Sequence, residues 1–366
     1  MSLKKIAEMT GVSISTVSRV LNNRDYNCAS EDLKDRIWAA AKEIHYVPNE
    51  SARNLKLGGE SHHAAPVRSL TVILERFSSL DEDPFFRELY RSVEQEAFAC
   101  GCTIRDICFS EPDMAALRKE KADGYIVLGR ISAQSLQRLK KISKNIVSIS
   151  RNPTQFEVDE IICDGRSAAV CAMEYLINKG YRRIAYIGDC SHEDRYVGYC
   201  DTMIRNNLPM DYSAIFPTDQ REKSGCAAMK KLLTVNTAEA VLCANDATAI
   251  GALRGWQEFC REAKKDLRAD AASAAKPPRR VASHASHEIC PARPSTQKGT
   301  GKMPALISID NIKAAGEVTP ALTTVHVPHE DMGKTAVKVL LDRIQKGHTE
   351  KLRVEFPSHL VVRESS

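Results

Sequence analysis

Apolar residues recur at helical intervals through the first 45 positions, and beyond position 68 they gather into short β-rich runs separated by helical stretches. Leu3, Ile6, Ala7 and Met9 form the first stripe behind Ser2, a capping residue, and Gly11 follows where a left-handed backbone costs least. Ser13 caps a second helix whose inward stripe is Val17, Val20 and Leu21, while Ile14, Ser15, Ser18, Arg19 and Asn22 point elsewhere. A third helix starts at Ser30, carries Glu31 and Asp32 in its first turn, and offers Leu33, Ile37, Ala40, Ala41 and Ile44 to a three-helix core before Pro48 ends it. From Asn49 a helix of one to two turns runs to Leu55, too short to be stable without a partner.

Two short helices joined by a tight turn suit a reader of the DNA major groove, whose second helix presents its N-terminal half to base edges. In that geometry Ile14 and Ser15 reach bases, Arg19 donates a bidentate pair to guanine, and Ser13, Thr16 and Ser18 hold phosphates. A capped amphipathic hairpin inside a larger helical core is the competing interpretation. Residues 3–23 together with 46–55 closely resemble the LacI family of bacterial transcription regulators. The resemblance implies hinge helices that pair across a dimer, with Leu55 as the wedge pushed into the operator minor groove and Ala52 as the small residue beside it. A hinge that orders only on bent DNA couples ligand state to DNA affinity.

Past a small-residue linker at 57–67, β-rich runs at 70–74, 124–128, 145–149, 160–163, 183–187, 240–243 and 306–309 alternate with helical stretches at 85–100, 165–179, 224–233 and 247–259. This is the pattern of parallel sheets with crossover helices, in which ligands bind beyond the carboxyl ends of strands. The expected organisation is an all-α helix-turn-helix headpiece (1–47), a hinge helix with linker (48–67), and a two-lobed α/β core (68–366) similar to periplasmic binding proteins. That core is expected to bind the effector and to dimerise. The tail at 356–363 reads as a last strand with no leucine heptad after it, so a homodimer on a pseudo-palindromic operator is the expected assembly.

The family resemblance also implies effector-binding residues. Residues 181–188 followed by 195–199 resemble an effector-domain signature in which Arg195 binds sugar hydroxyls. Ala244-Asn245-Asp246 resembles a strand-to-helix corner that puts Asn245 in the pocket, Asp246 being most simply the helix cap. Asp310 stands at another strand end, Asp164 at the crossover between lobes, and Arg130 after a further strand. Asp83-Pro84-Phe85-Phe86 resembles a first-loop motif lining the same cleft, with Asp83 where Asn is commoner. Carboxylates and arginine beside apolar walls suit a polyhydroxylated ligand, although each residue alone also reads as a cap or surface ion pair. The segments 75–84, 129–130 and 310–312 look more like repressors of galactoside utilisation than like the purine or ribose branch. A nucleobase or a phosphorylated protein corepressor is the alternative means of control. A purine calls for an aromatic sandwich, for which Phe77, Phe85, Phe86 and Phe156 are the candidate walls.

Composition changes this picture in three places. The chain has 366 residues, begins with the DNA reader rather than a signal-type leader, and contains no apolar run approaching about 18 residues. A cytoplasmic location without a membrane partner is therefore expected. Its 12 cysteines are scattered, Cys100 and Cys102 lack the spacing of a redox or zinc motif, and the set reads as reduced core thiols.

The net charge of +5 belongs elsewhere than the reader. Residues 1–59 carry nine basic and seven acidic side chains, whereas 264–304 carry nine basic and three acidic. DNA recognition must rest on geometry more than on bulk charge. The basic span 264–304, rich in Ala, Pro and Ser, lacks apolar periodicity and is expected to be a structureless insertion, neutral towards DNA binding, the alternative being a basic arm that adds nonspecific phosphate contacts. Its His284, His287 and Cys290 offer only three ligands to a metal. Without a paired nucleophile and base, a phosphate-cradling glycine loop or a metal cluster, neither an enzyme of sugar metabolism nor a cofactor is expected.

Overall fold

The apolar stripes of the first three helices meet in one small core. The computed structural model describes residues 3–21, 29–44, 46, 68–110, 114–119, 121–154, 157–191, 193–235, 238–274 and 303–366. Within it α1 (Leu3–Thr10), α2 (Ile14–Leu21) and α3 (Glu31–Glu43) bury Ile6, Val17, Leu21, Ile37 and Ala41. Gly11 turns the chain at φ +73°, its N–H donating to the Ala7 carbonyl at 2.9 Å. Ser13 and Ser30 cap as expected: their hydroxyls accept the N–H groups of Thr16 at 3.1 Å and Leu33 at 3.4 Å. Ser2, Asn22, the hinge residues Ala52 and Leu55, and His284, His287 and Cys290 lie outside the described residues.

The strands alternate with helices as the pattern predicts. In chain order come β1 (Arg68–Leu74), α4 (Pro84–Ala99), β2 (Cys102–Phe109), α5 (Met114–Lys119), β3 (Gly124–Leu128), α6 (Ala133–Lys140), β4 (Ile146–Ser150) and β5 (Asp159–Ile162). Then follow α7 (Gly165–Asn178), β6 (Ile184–Gly188), α8 (Asp194–Arg205), β7 (Ile215–Pro217), α9 (Glu222–Val235), β8 (Ala240–Cys243), α10 (Asp246–Ala274), β9 (Ala305–Asp310), α11 (Lys313–Glu317) and β10 (Thr323–His326). The chain ends through α12 (His329–Ile344), β11 (Arg353–Glu355) and β12 (His359–Val361).

These elements form two compact units, one of residues 1–162 with 328–356, the other of 163–327 with 357–366. The first unit holds a wholly parallel sheet in the order β11-β5-β4-β3-β1-β2. The second holds β12-β10-β9-β8-β6-β7, parallel except for β12, which runs against β10. The central strands of each sheet are buried on both faces, which is why they read as continuous apolar runs.

Polar residues fasten the crossovers. Asp159, at the start of β5, accepts from Arg343 Nη2 at 2.6 Å, from the Leu352 N–H at 2.8 Å and from His348 Nε2 at 3.0 Å, which binds α12 and the approach to β11 onto the first sheet. Burial alone would raise this carboxyl, but these donors hold it below its ordinary value.

One expectation changes. Helix α10 continues to Ala274, so residues 264–274, expected to lack structure, are helical. The Lys, Arg, Ala and Leu residues there are good helix formers, and propensity extends a helix already nucleated by packing. Residues 275–302 lie outside the description.

Helices α9 and α10 approach through glycine. A Cβ on Gly251 would fall 2.0 Å from the Glu222 carbonyl oxygen, and one on Gly255 would fall 2.4 Å from that of Cys226. Gly251→Ala must therefore push the backbones apart. It should cost about 1–3 kcal/mol, read as a lower denaturant midpoint of the full chain; an unchanged midpoint would show that the two helices separate freely.

Candidate functional site

On the headpiece, burial of Val17, Val20 and Leu21 fixes which face of α2 is left outside. Ser13, Ile14, Ser15 and Arg19 are exposed, Ile14 at 48%, while Thr16 and Ser18 are half-buried. The Ser13 hydroxyl also lies 2.7 Å from Ser15 Oγ and 2.9 Å from Thr16 Oγ1. The helix thus begins in a knot of hydroxyls, with an exposed aliphatic side chain and one guanidinium beside it. This set matches the direct-readout and phosphate-holding groups of a major-groove helix.

In the second unit, three sequence-predicted residues gather at the carboxyl ends of parallel strands. Arg195, in the first turn of α8, is 1% exposed. Its Nε and Nη2 donate to the two Glu193 oxygens, each at 2.7 Å. Nη2 donates also to Gln220 Oε1 at 3.2 Å, and Nη1 donates to the Ala244 carbonyl. Gln220, following β7 at φ +66°, donates from Nε2 to Glu193 at 3.1 Å and accepts from Asn245 Nδ2 at 3.2 Å through its carbonyl. Four of the five guanidinium N–H groups are therefore used inside the unit. Burial opposes the charge, but Glu193 and then Asp310 outweigh it and raise the Arg195 pKa. Asp310 itself is 1% exposed and ends β9 at φ +130°, a backbone region that L-residues seldom occupy and that clusters at functional sites.

The corner after β8 corrects an expectation. Asn245, not Asp246, caps α10: its Oδ1 accepts the Thr248 N–H at 3.0 Å and the Thr248 hydroxyl at 2.5 Å. Asp246 instead accepts from the Ile312 N–H at 2.8 Å, from Thr324 Oγ1 at 2.7 Å and from the Ser308 hydroxyl, stapling α10 to β9 and β10. Burial pushes its carboxyl up to about 6. Asp164 caps α7, accepting from the Arg166 and Ser167 N–H groups at 3.1 and 3.0 Å, apart from the Arg195 hydrogen bonds.

The first unit holds the other candidates. Asp83 caps α4 through the Phe85 N–H at 2.9 Å. Phe85 is 3% exposed, edge-on to Phe86 at 5.3 Å, with the Arg151 guanidinium 4.5 Å from its ring centroid. The expected aromatic wall is therefore part of a packed cluster that includes Phe77 and Phe86, because each ring buries more apolar area against its neighbours than it would at a surface. Arg130 is half-buried beyond β3, next to Gly129, where a Cβ would meet Phe86 at 2.7 Å. Phe156 lies outside the described residues.

With these arrangements in view, comparison decides the family. Residues 2–49 match the model of bacterial regulatory proteins of the lacI family. Residues 69–268, more than half of the chain, match that of periplasmic binding proteins and the sugar-binding domain of the LacI family. The chain belongs to the LacI family. It is a DNA-binding transcriptional regulator with a periplasmic-binding-protein-like core, and residues 304–366 match a further model of that core. It is 27% identical over 379 residues to the HTH-type transcriptional repressor PurR of Yersinia pestis bv. Antiqua (strain Antiqua), covering all of this chain and 96% of that protein. A transcriptional regulator CelR–cellobiose complex superposes with TM-score 0.63 at 23% identity, covering both chains fully. The Lac repressor dimer bound to operator and the anti-inducer ONPF gives TM-score 0.62 at 20% identity, covering 100% of this chain and 98% of that one. The relatives are regulators rather than enzymes. Among the described residues no helix is long and apolar enough to cross a membrane, and no group of three or more His, Cys, Asp or Glu is placed to hold a metal.

Two residues of this LacI-family cluster escaped sequence reasoning. Glu193 stands two positions before Arg195, close enough in sequence to signal a pair, whereas Gln220 follows a three-residue strand that offers little pattern. Because both partners are buried at 1% exposure, Glu193→Gln or Arg195→Gln alone strands a charge and should cost about 3–5 kcal/mol. The double variant should melt nearer to the native chain than either single one. Additive losses in a double-mutant cycle would refute the coupling.

Proposed function

We propose that the chain is a dimeric repressor that clamps a pseudo-palindromic operator and changes its grip when a small carbohydrate reaches the strand-end residues of the second unit. The observation that carries this reading is the buried Arg195–Glu193–Gln220–Asn245 network at the carboxyl ends of β6, β7 and β8, with Asp310 at the end of β9. These groups are ordered, polar and directional, the kind that fix hydroxyls in orientation. The relative solved with cellobiose and the operator-bound Lac repressor dimer support a sugar effector, operator DNA and a two-fold assembly. Galactosides are the first ligands to try.

A nucleobase effector has less support. Among the described residues the candidate rings Phe77, Phe85 and Phe86 are at most 8% exposed, and Tyr186 and Tyr199 pack together 5.3 Å apart with no exposure, so none of these five offers an open face for stacking.

On the DNA side, Arg19 is assigned to guanine, Ile14 and Ser15 to base edges, Ser13, Thr16 and Ser18 to phosphates, and Asn22, Ala52 and Leu55 to groove and hinge contacts. The test is selection of an operator from random duplexes by the full chain, followed by thermal-shift screening of galactosides, other sugars and nucleobases. Arg19→Ala should lose about 1–3 kcal/mol of discrimination at one base pair while nonspecific binding persists. A sugar should raise the melting temperature and alter operator affinity. Stabilisation by nucleobases alone would replace the sugar, and failure to select any sequence would reject the repressor.

A further inference from the structure

We propose that the amino edge of the first-unit sheet is a docking surface for the duplex flanking the operator, gripping phosphates outside the sequence read by the headpiece. The proposal rests on the repressor reading above. All six strands of this sheet are parallel, so their starts line one edge. The chain enters that edge at Arg68, the first residue of β1, directly after the segment that follows the DNA reader in sequence.

The same edge is basic. Lys121 precedes β3, Lys140, Lys141 and Lys144 precede β4, and Lys351 precedes β11. Four of these lysines, with Ser143 and Asn145, line a hollow of about 570 Å³. Lys121, Lys141 and Lys144 are exposed, and the last turn of α5 leads in with exposed Arg118 and Lys119. Of the carboxylates at this edge, Asp123 accepts the Ser69 N–H at 2.7 Å and Glu157 pairs with Lys140, while Glu350 is exposed beside Lys351. Around the hollow itself Ala122 and Ile146 are buried, and the one exposed large apolar residue described at this edge is Leu352, beside Lys351. Ammonium groups on flexible stems, ranged along adjacent strand starts, suit a backbone of phosphates rather than a planar carboxylate.

This surface also answers the charge count. The reader is only weakly basic, nine cationic against seven anionic side chains over residues 1–59, so extra phosphate contacts from the core supply attraction that the headpiece lacks. Each contact adds about 0.9 to the slope of log affinity against log salt.

The test uses the full chain and its selected operator on two duplexes, the minimal site and the same site extended by one helical turn on each side. Native protein should bind the extended duplex on the order of tenfold more tightly at low salt. The variant K121Q/K141Q/K144Q should lose that gain, with its salt slope on the long duplex falling by about 2–3. Its affinity for the short duplex and its melting temperature should match those of the native chain. Equal native affinity for both duplexes, or an equal loss by the variant on both, overturns the docking surface. Equal loss together with a lowered melting temperature assigns the lysines to folding. A chain that binds neither duplex overturns this inference and the repressor reading together.

Discussion

Everything else in the core follows from strand polarity. A parallel sheet has two unlike edges, because every strand must start at one and finish at the other, with crossover helices between. In the first unit the starting edge receives the chain from the headpiece and carries the lysines, while Arg130 and Arg151 follow the strand ends opposite. In the second unit the finishing edge collects Glu193, Arg195, Gln220, Asn245 and Asp310, contributed from the ends of four different strands and the segments that follow them. Residues remote in sequence become neighbours for this reason.

The second constraint is the cost of burying charge. Arg195 is admitted to a site with 1% exposure because Glu193 faces it with both oxygens and two further donors find carbonyl oxygens. Asp159 solves the same problem with Arg343 in the first unit. Asp246 solves it differently, with hydroxyls and one N–H in place of a cation, so its proton is retained to about pH 6. Its folded pKa exceeds the unfolded 3.8, so its contribution to stability is present below about pH 4 and declines as pH rises towards 6. Asp159, whose pKa is lowered, has the opposite sign and loses its contribution as pH falls through its folded pKa.

How much of this was legible depends on whether the signal was local. The headpiece helices, with their serine caps and Gly11, were legible because three to four residues determine each feature. The buried strands were legible as apolar runs. Strand β2 was not, since Thr103, Arg105 and Asp106 are exposed at the edge of the sheet and dilute its pattern, and β7 has only three residues. The end of α10 was missed because its residues carry no apolar stripe to read, although they favour helix. At the candidate site Arg195, Asn245 and Asp310 were found through family resemblance, but their partners were not. Whether a polar residue caps a helix, pairs with a charge or faces a ligand depends on contacts far away in the chain: Asn245 takes the cap expected of Asp246, which is drawn instead to Ile312 and Thr324.

In the proposed repressor, DNA binding and effector binding are coupled through one chain, and coupling of binding energies is reciprocal. The most direct measurement is a calorimetric titration of the stabilising sugar into the free protein and into its operator complex. The sugar's affinity should differ between the two by the same factor by which saturating sugar changes operator affinity. Equal sugar affinity in the presence and absence of operator would contradict it.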